Sequence, residues 1–223
     1  MRILVVSDVH CEEKDNVRKY LEAYNKSSPD VVLGAGDWGD CEDYSFLEGQ
    51  EVITVYGNHD KVYELKKYAK VLDGDVVELG GLKIGGVSGI VSPKGTPSKS
   101  NTPRKRPEEF VKVAERIKGV DLMVMHEAPY MPMVFGKMWR SVGPLTALTA
   151  VQEVKPKVLV VGHLHKAPSL HAKVDRCHVF HVDTSSGGYV ILDTDTMVAE
   201  GFVNNIRTFK VKMEELLKQD AII

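Results

Sequence analysis

Five short apolar runs, each ending in an aspartate, a histidine or an Asn-His pair, constrain this chain more than any other feature. Residues 3–6 lead into Ser7-Asp8-Val9-His10, and 31–35 into Gly36-Asp37. Residues 52–56 lead into Gly57-Asn58-His59-Asp60, 120–125 into His126, and 158–161 into Gly162-His163-Leu164-His165. Continuous β-branched runs of this length read as strands buried on both faces. Segments with helical spacing lie between several of them. In 12–25 the apolar residues Val17, Tyr20, Leu21 and Tyr24 recur every three or four positions, which predicts an amphipathic helix. Helices are also predicted over 61–70, 107–118 and 144–154, with a short helical piece at 42–47. Pro107, followed by Glu108 and Glu109, suits a helix start.

The pattern changes after residue 165. Strands are expected around 170–174, 178–182, 188–192 and 197–203, without helices between them, before a terminal helix at 212–218. Residues 76–79 and 82–84 flank Gly80-Gly81 and read as a hairpin. Alternation in the first two-thirds implies a sheet with parallel strands and helices on its face. The strand-rich last third implies a second sheet packed against it. At 223 residues and 43% hydrophobic, the chain suits one domain with a substantial core, and no repeat or linker divides 1–223.

Strand carboxyl ends in such sheets line one crevice. If these five converge, two aspartates, one asparagine and five histidines meet there. One such residue alone reads equally well as a turn former, a cap or a core side chain. The chain has eight histidines, and five of them sit at these strand ends. Imidazole with carboxylate suits manganese, iron, cobalt, nickel or zinc, and no thiolate set for a structural zinc is present. His171, His178 and His181 read as ordinary sheet residues, and Trp38 as a packing residue.

Composition narrows the partners. A net charge of −2 gives no overall basic surface for nucleic acid or an anionic membrane. Three cysteines, Cys11, Cys41 and Cys177, without Cys-x-x-Cys spacing, argue against a disulfide framework and for a reducing compartment. Neither Cys11 nor Cys41 is expected to be a ligand. The first apolar run is too short for a signal-peptide core, and the cytoplasm is the expected location. Trp139 reads either as core or as a contact for a second copy, so a homo-oligomer stays open.

Residues 92–107 stand apart. They carry Pro93, Pro97 and Pro103, five basic residues from Lys94 to Arg106, and no acid. A structureless insert of this length is expected to be a functional lid or a mobile basic loop.

Taken in order, Asp8-x-His10, Gly36-Asp37-x-x-Asp40, Gly57-Asn58-His59-Asp60, His126 and Gly162-His163-x-His165 resemble the calcineurin-like metallophosphoesterase family. The chain looks most like its small, stand-alone prokaryotic and archaeal members. The resemblance implies an α+β fold, a four-layer αββα sandwich of two mixed sheets face to face with helices outside. It implies two divalent metal ions, manganese first, with iron, zinc, nickel or cobalt as alternatives. Asp8, His10, Asp37 and His165 would hold one ion; Asp37, Asn58, His126 and His163 would hold the other, with Asp37 shared. His59 would contact phosphate and assist the leaving group, and Asp40 would orient it. Asn58, Arg104 and Arg106 are further candidates for substrate contact.

The implied activity is hydrolysis of phosphodiester bonds by a metal-bridging hydroxide. A phosphomonoesterase on a small metabolite or nucleotide is the alternative, and a non-catalytic protein-binding scaffold a third reading. Cys41 follows Asp40 where the protein serine/threonine phosphatases carry arginine, which argues against a phosphoprotein substrate. The expected partner is therefore a small phosphoester and not a membrane; the near-neutral charge disfavours nucleic acid without excluding it.

Overall fold

Sheet pairing in the computed structural model, which describes residues 1–217, follows the apolar runs closely. In chain order the strands and helices are β1 (Arg2–Val6), α1 (Lys14–Ser27), β2 (Val31–Gly34), β3 (Val52–Thr54), α2 (Val62–Leu65), β4 (Lys70–Val71), β5 (Val76–Leu79) and β6 (Leu82–Val87). Then come α3 (Pro107–Glu115), β7 (Leu122–Met125), α4 (Pro132–Phe135), α5 (Val142–Val154) and β8 (Val158–Val161). The chain continues through β9 (Ser169–Val174), β10 (Cys177–Val182), β11 (Gly188–Asp193), β12 (Val198–Val203) and β13 (Ile206–Lys212).

One sheet has the order β13-β12-β11-β1-β2-β3-β4, with β1 to β4 parallel and β11 to β13 joined antiparallel. The other has the order β5-β6-β7-β8-β10-β9, parallel from β6 to β10 with antiparallel edges. Strand alternation then sorts side chains into layers. Ile3 and Val5 point into a core shared with Val124, Val160 and Phe180 of the facing sheet. Leu4 and Val6 point the other way, against Tyr20 and Ala23 of α1. Met123, Leu159 and Val179 cover the outer face of the second sheet beneath Phe110, Ala147 and Val151 of α3 and α5. Three apolar layers between four structural layers make an αββα sandwich, as expected.

Three local expectations need correcting. The helix expected over 61–70 stops after one turn, α2, and the chain runs on into the edge strand β4. Leu72, fully buried in the inter-sheet core, requires extended chain there. The expected terminal helix is in its described part strand β13 followed by a single 3-10 turn, Glu214–Leu216; residue 218 lies outside the described residues. Phe209 and Val211 alternate into the core, a period-two signal present in the sequence. The expected absence of disulfides also fails, since Cys11 is bonded to Cys41. Thirty positions separate them in sequence, but the loops after β1 and β2 run side by side, leaving their Cα atoms 6.1 Å apart. Cysteine usage therefore no longer supports a reducing compartment. Among the described residues, no helix is long and apolar enough to cross a membrane.

Candidate metal centre

The loops after β1 and β2 stay zipped together beyond the sheet. Asp8, His10 and Cys11 donate backbone N–H groups to the carbonyls of Gly36, Asp37 and Trp38. Asp60 ties in the loop after β3. Its buried carboxylate accepts from the N–H of Asp37 at 2.9 Å, Gly39 at 3.1 Å and Gly57 at 2.7 Å. Burial, joined by the charge of Asp37, pushes the Asp60 carboxyl up to about 7 against these bonds. The result is a rigid frame in which five residues take left-handed backbone: Asp8, His10, Asp37, His163 and His165. That conformation costs an L residue about 1–2 kcal/mol. Its concentration at these strand ends marks a site whose geometry the fold imposes.

The two aspartates are held alike. Asp8 Oδ2 accepts from Ser7 Oγ at 2.7 Å and from the His163 N–H at 3.0 Å. Asp37 Oδ1 accepts the N–H groups of Asn58 at 2.7 Å and His59 at 3.0 Å. Only glycine fits at position 57, because a Cβ there would collide with Asp37 Oδ1. The second oxygen of each carboxylate is left facing imidazoles. Asp8 Oδ1 lies 3.4 Å from His165 Nε2 and 3.7 Å from His10 Nε2. Asp37 Oδ2 lies 3.2 Å from His126 Nε2 and 3.8 Å from His10 Nε2. Asp37 Oδ2 therefore faces both groups, Asp8–His10–His165 and Asp37–His126–His163.

Hydrogen bonding alone leaves this cluster unsatisfied. His126 Nδ1 donates to the Ala35 carbonyl at 2.8 Å, which directs Nε2 into the site. There Nε2 meets three acceptors, each at 3.2 Å: Asp37 Oδ2, the Asn58 side-chain oxygen and His163 Nδ1. One proton on Nε2 serves only one of them; a cation serves all four atoms. Among the described residues, buried Asp8 Oδ1 and His10 Nε2 have no hydrogen-bond partner. The two buried carboxylates also draw positive charge onto two of the imidazoles. Burial pulls His126 down, yet Asp37 outweighs it and pushes the imidazole up to about 10. Burial likewise opposes His10, but Asp8 and Asp37 push it up to about 9. Burial and the neighbouring His126 charge drive His163 down to about 4. The nitrogen and oxygen donor set fits borderline divalent cations.

All seven residues expected as ligands are thus in one place. Three positioning residues were not anticipated. Asp183, at the end of β10, meets His165 Nδ1 at 3.0 Å and directs Nε2 toward Asp8. Glu12 Oε1 lies 3.4 Å from His10 Nδ1. Carboxylates behind histidines in this way fix the tautomer and raise ligand basicity. Asp60 is the third. Asp183 was legible, since it follows the strand expected over 178–182.

The residues expected to touch substrate are spread more widely. His59 is half-buried beside His10, with ring centroids 5.5 Å apart. Its Nδ1 lies 3.5 Å from Ser100 Oγ. Asp40 points elsewhere and pairs with Lys61 at 3.5 Å, because its position turns outward to solvent. Arg104 is half-buried, and its Nε has no partner among the described residues. Arg106 caps the start of α3, with its N–H on Glu109 at 2.9 Å and its side chain exposed. Within the basic loop, Lys105 bonds the Ser88 carbonyl at 2.6 Å and Asp73 at 3.0 Å. Thr102 Oγ1 bonds the Asp60 carbonyl at 3.0 Å, which brings Ser100 over the site. Trp38 is buried, its indole N–H on Thr54 Oγ1 at 2.9 Å, so it packs. Trp139 is 82% exposed.

Comparison with known proteins identifies the family and the fold. Residues 1–196 match the calcineurin-like phosphoesterase superfamily domain. Among solved structures, TT1561 of Thermus thermophilus superposes with a TM-score of 0.69 at 16% identity, covering 91% of this chain and 98% of that one. A novel archaeal phosphodiesterase gives 0.54 at 17% identity, over 91% and 99% of the two chains. Vps29 of Entamoeba histolytica, solved with zinc, gives 0.51 at 14% identity, over 96% and 99%. At these identities the likeness is one of fold. No curated protein matches the chain in sequence.

Proposed function

Because this chain belongs to the calcineurin-like phosphoesterase superfamily, we propose that it is a two-metal phosphodiesterase acting on small phosphodiesters. The observation that carries the reading is the ring of acceptors around His126 Nε2, which one proton leaves unsatisfied and a cation satisfies. Asp8, His10 and His165 would hold one divalent ion. His126, His163 and Asn58 would hold the second, and Asp37 Oδ2 would reach both. Manganese is the first candidate. When bound, the ions supply the positive charge that draws in a phosphoester, clamps its oxygens and acidifies water for attack at phosphorus.

The remaining steps belong to the chain's own side chains. The Asn58 amide N–H groups would meet a phosphoryl oxygen. His59 holds a proton at the rim and delivers it to the departing ester oxygen as a general acid. Ser100 replaces Asp40 as the group facing His59 Nδ1. A phosphodiester whose leaving group is a poor one depends most on that proton. The archaeal phosphodiesterase among the structural neighbours is in keeping with this choice of substrate.

Chelation should abolish hydrolysis of a chromogenic phosphodiester, and added Mn(II) should restore it. H59N should keep full metal content, measured by elemental analysis, and lose roughly 10²–10⁴-fold in kcat. Turnover that survives complete metal removal would sink the proposal.

A further inference from the structure

Beside His163 the metal centre opens into a cavity of about 410 Å³. Its walls are apolar: Ile90, Val91, Met138, Val142, Pro144 and Leu164. Trp139 stands at the mouth, 82% exposed, with the Lys137 ammonium 6.0 Å from its ring centroid. Lys166, also at the rim, donates to the Lys137 carbonyl. One acidic side chain lines this apolar space. Glu127 is 4% exposed, and its Oε2 accepts the Val91 N–H at 3.0 Å. Both carboxylate oxygens face Gly143, where an added Cβ would lie 3.0–3.1 Å from them.

These features select an occupant. An alkyl chain would suit the walls but leave the buried Glu127 carboxylate with the Val91 N–H alone, and its remaining acceptor positions unmet, which is costly. An inorganic anion would meet the Glu127 charge and leave the walls unused. A sugar alone would offer donors but no flat apolar face. A planar heterocycle with N–H groups on one edge satisfies all three elements. It fills the slot, stacks on an exposed indole, and donates to the carboxylate. A carboxylate has about four acceptor positions, and Val91 uses one here. Adjacent N–H groups, as on the N1 and N2 edge of guanine, match the rest. The two rim lysines suit an anionic molecule.

We propose that this cavity receives the nucleoside arm of a phosphodiester substrate, with Trp139 stacking on the base and Glu127 accepting from a guanine edge. The inference rests on the phosphodiesterase reading for its chemistry, because His163 belongs both to the cavity and to the metal centre. Glu127 and Trp139 would then set specificity.

The test is a binding measurement with a separate kinetic arm. Guanosine 5′-methyl phosphate is titrated by calorimetry into the full chain, in chelator and again with Mn(II). Saturable binding is expected, with adenosine 5′-methyl phosphate and dimethyl phosphate each at least about tenfold weaker. E127Q and W139A should each weaken the guanosine ester about tenfold. Trp139 is exposed, so W139A carries the test if E127Q does not fold. Equal binding of the adenosine ester, or unchanged binding to both variants, overturns the proposal. The kinetic arm compares guanosine 5′-(p-nitrophenyl phosphate) with methyl p-nitrophenyl phosphate, which share a leaving group. Turnover of the methyl ester without binding of the guanosine ester removes the cavity assignment and leaves the phosphodiesterase. Binding of the guanosine ester without turnover of either substrate keeps the cavity and removes the phosphodiesterase reading.

Discussion

Asp183 lies outside the proposed ligand set but contacts one of its members, His165, at 3.0 Å. Its carboxyl is held down at about 2; burial opposes this, and bonds from His165, Ser185 and Ser186 outweigh burial. An ionised acceptor behind His165 Nδ1 keeps the proton there and the lone pair of Nε2 toward Asp8. D183N keeps the size and most of the local bonds but removes the charge. It should weaken Mn(II) binding by about 10- to 100-fold, read by calorimetric titration of the chelated protein. Unchanged affinity would reduce Asp183 to a turn residue. At this scale the sequence was informative for which side chains cluster, because each followed an apolar run. It was uninformative for Asp40, whose direction depends on how a loop of two glycines and a tryptophan turns. That loop sends Asp40 to Lys61 and leaves His59 to Ser100, which lies forty-one positions away.

Among the elements, the loops after β1 and β2 matter most, because together they carry Asp8, His10 and Asp37. Backbone bonds zip them together, and the Cys11–Cys41 bond closes the far end. A cross-link over thirty positions restricts the unfolded chain by about 3–4 kcal/mol in the loop-entropy estimate. C11S/C41S should therefore lower the melting temperature by roughly 5–15 °C, followed by circular dichroism without reductant. Wild-type protein should approach the variant when reductant is added. A melting temperature indifferent to both changes would mean that the bond does not form in solution. Basic loop 92–107 is the second such element. Its composition left a lid or a mobile loop open, and the structure anchors it through half-buried Lys105 and through Thr102. The anchors use residues whose partners, Ser88 and Asp60, lie on other strand ends. Nothing local to the loop announced them.

For the molecule as a whole, the C-terminal turn closes the sandwich, and its stability depends on charge. Glu215 pairs with Lys173 and, at 2.8 Å, with His178 Nε2. The Lys173 bond first, then His178, lowers its carboxyl to about 2. A carboxyl depressed on folding stabilises fully above its unfolded value, near ~4.3, and loses that contribution as pH falls toward the folded value. Wild type should therefore melt roughly 1–3 °C above E215Q near neutral pH. The gap should close as pH drops through the window between those two values. A gap independent of pH would contradict the pairing. The sequence by itself determined the layers and which residue types stand at the strand ends. Period-two and helical spacings dictate which side chains are buried, and strand carboxyl ends lie together in any sheet of parallel strands. It pointed to divalent-metal chemistry too, because imidazole and carboxylate donors end one apolar run after another. Tertiary structure alone decided which atom faces which. Asp37 presents Oδ2 because backbone N–H groups from another strand end occupy Oδ1. Asp40 leaves the site, the two cysteines meet, and Glu127 lines a cavity beside His163. Each of these depends on contacts between segments far apart in the chain. Spacing along one segment carries no information about them.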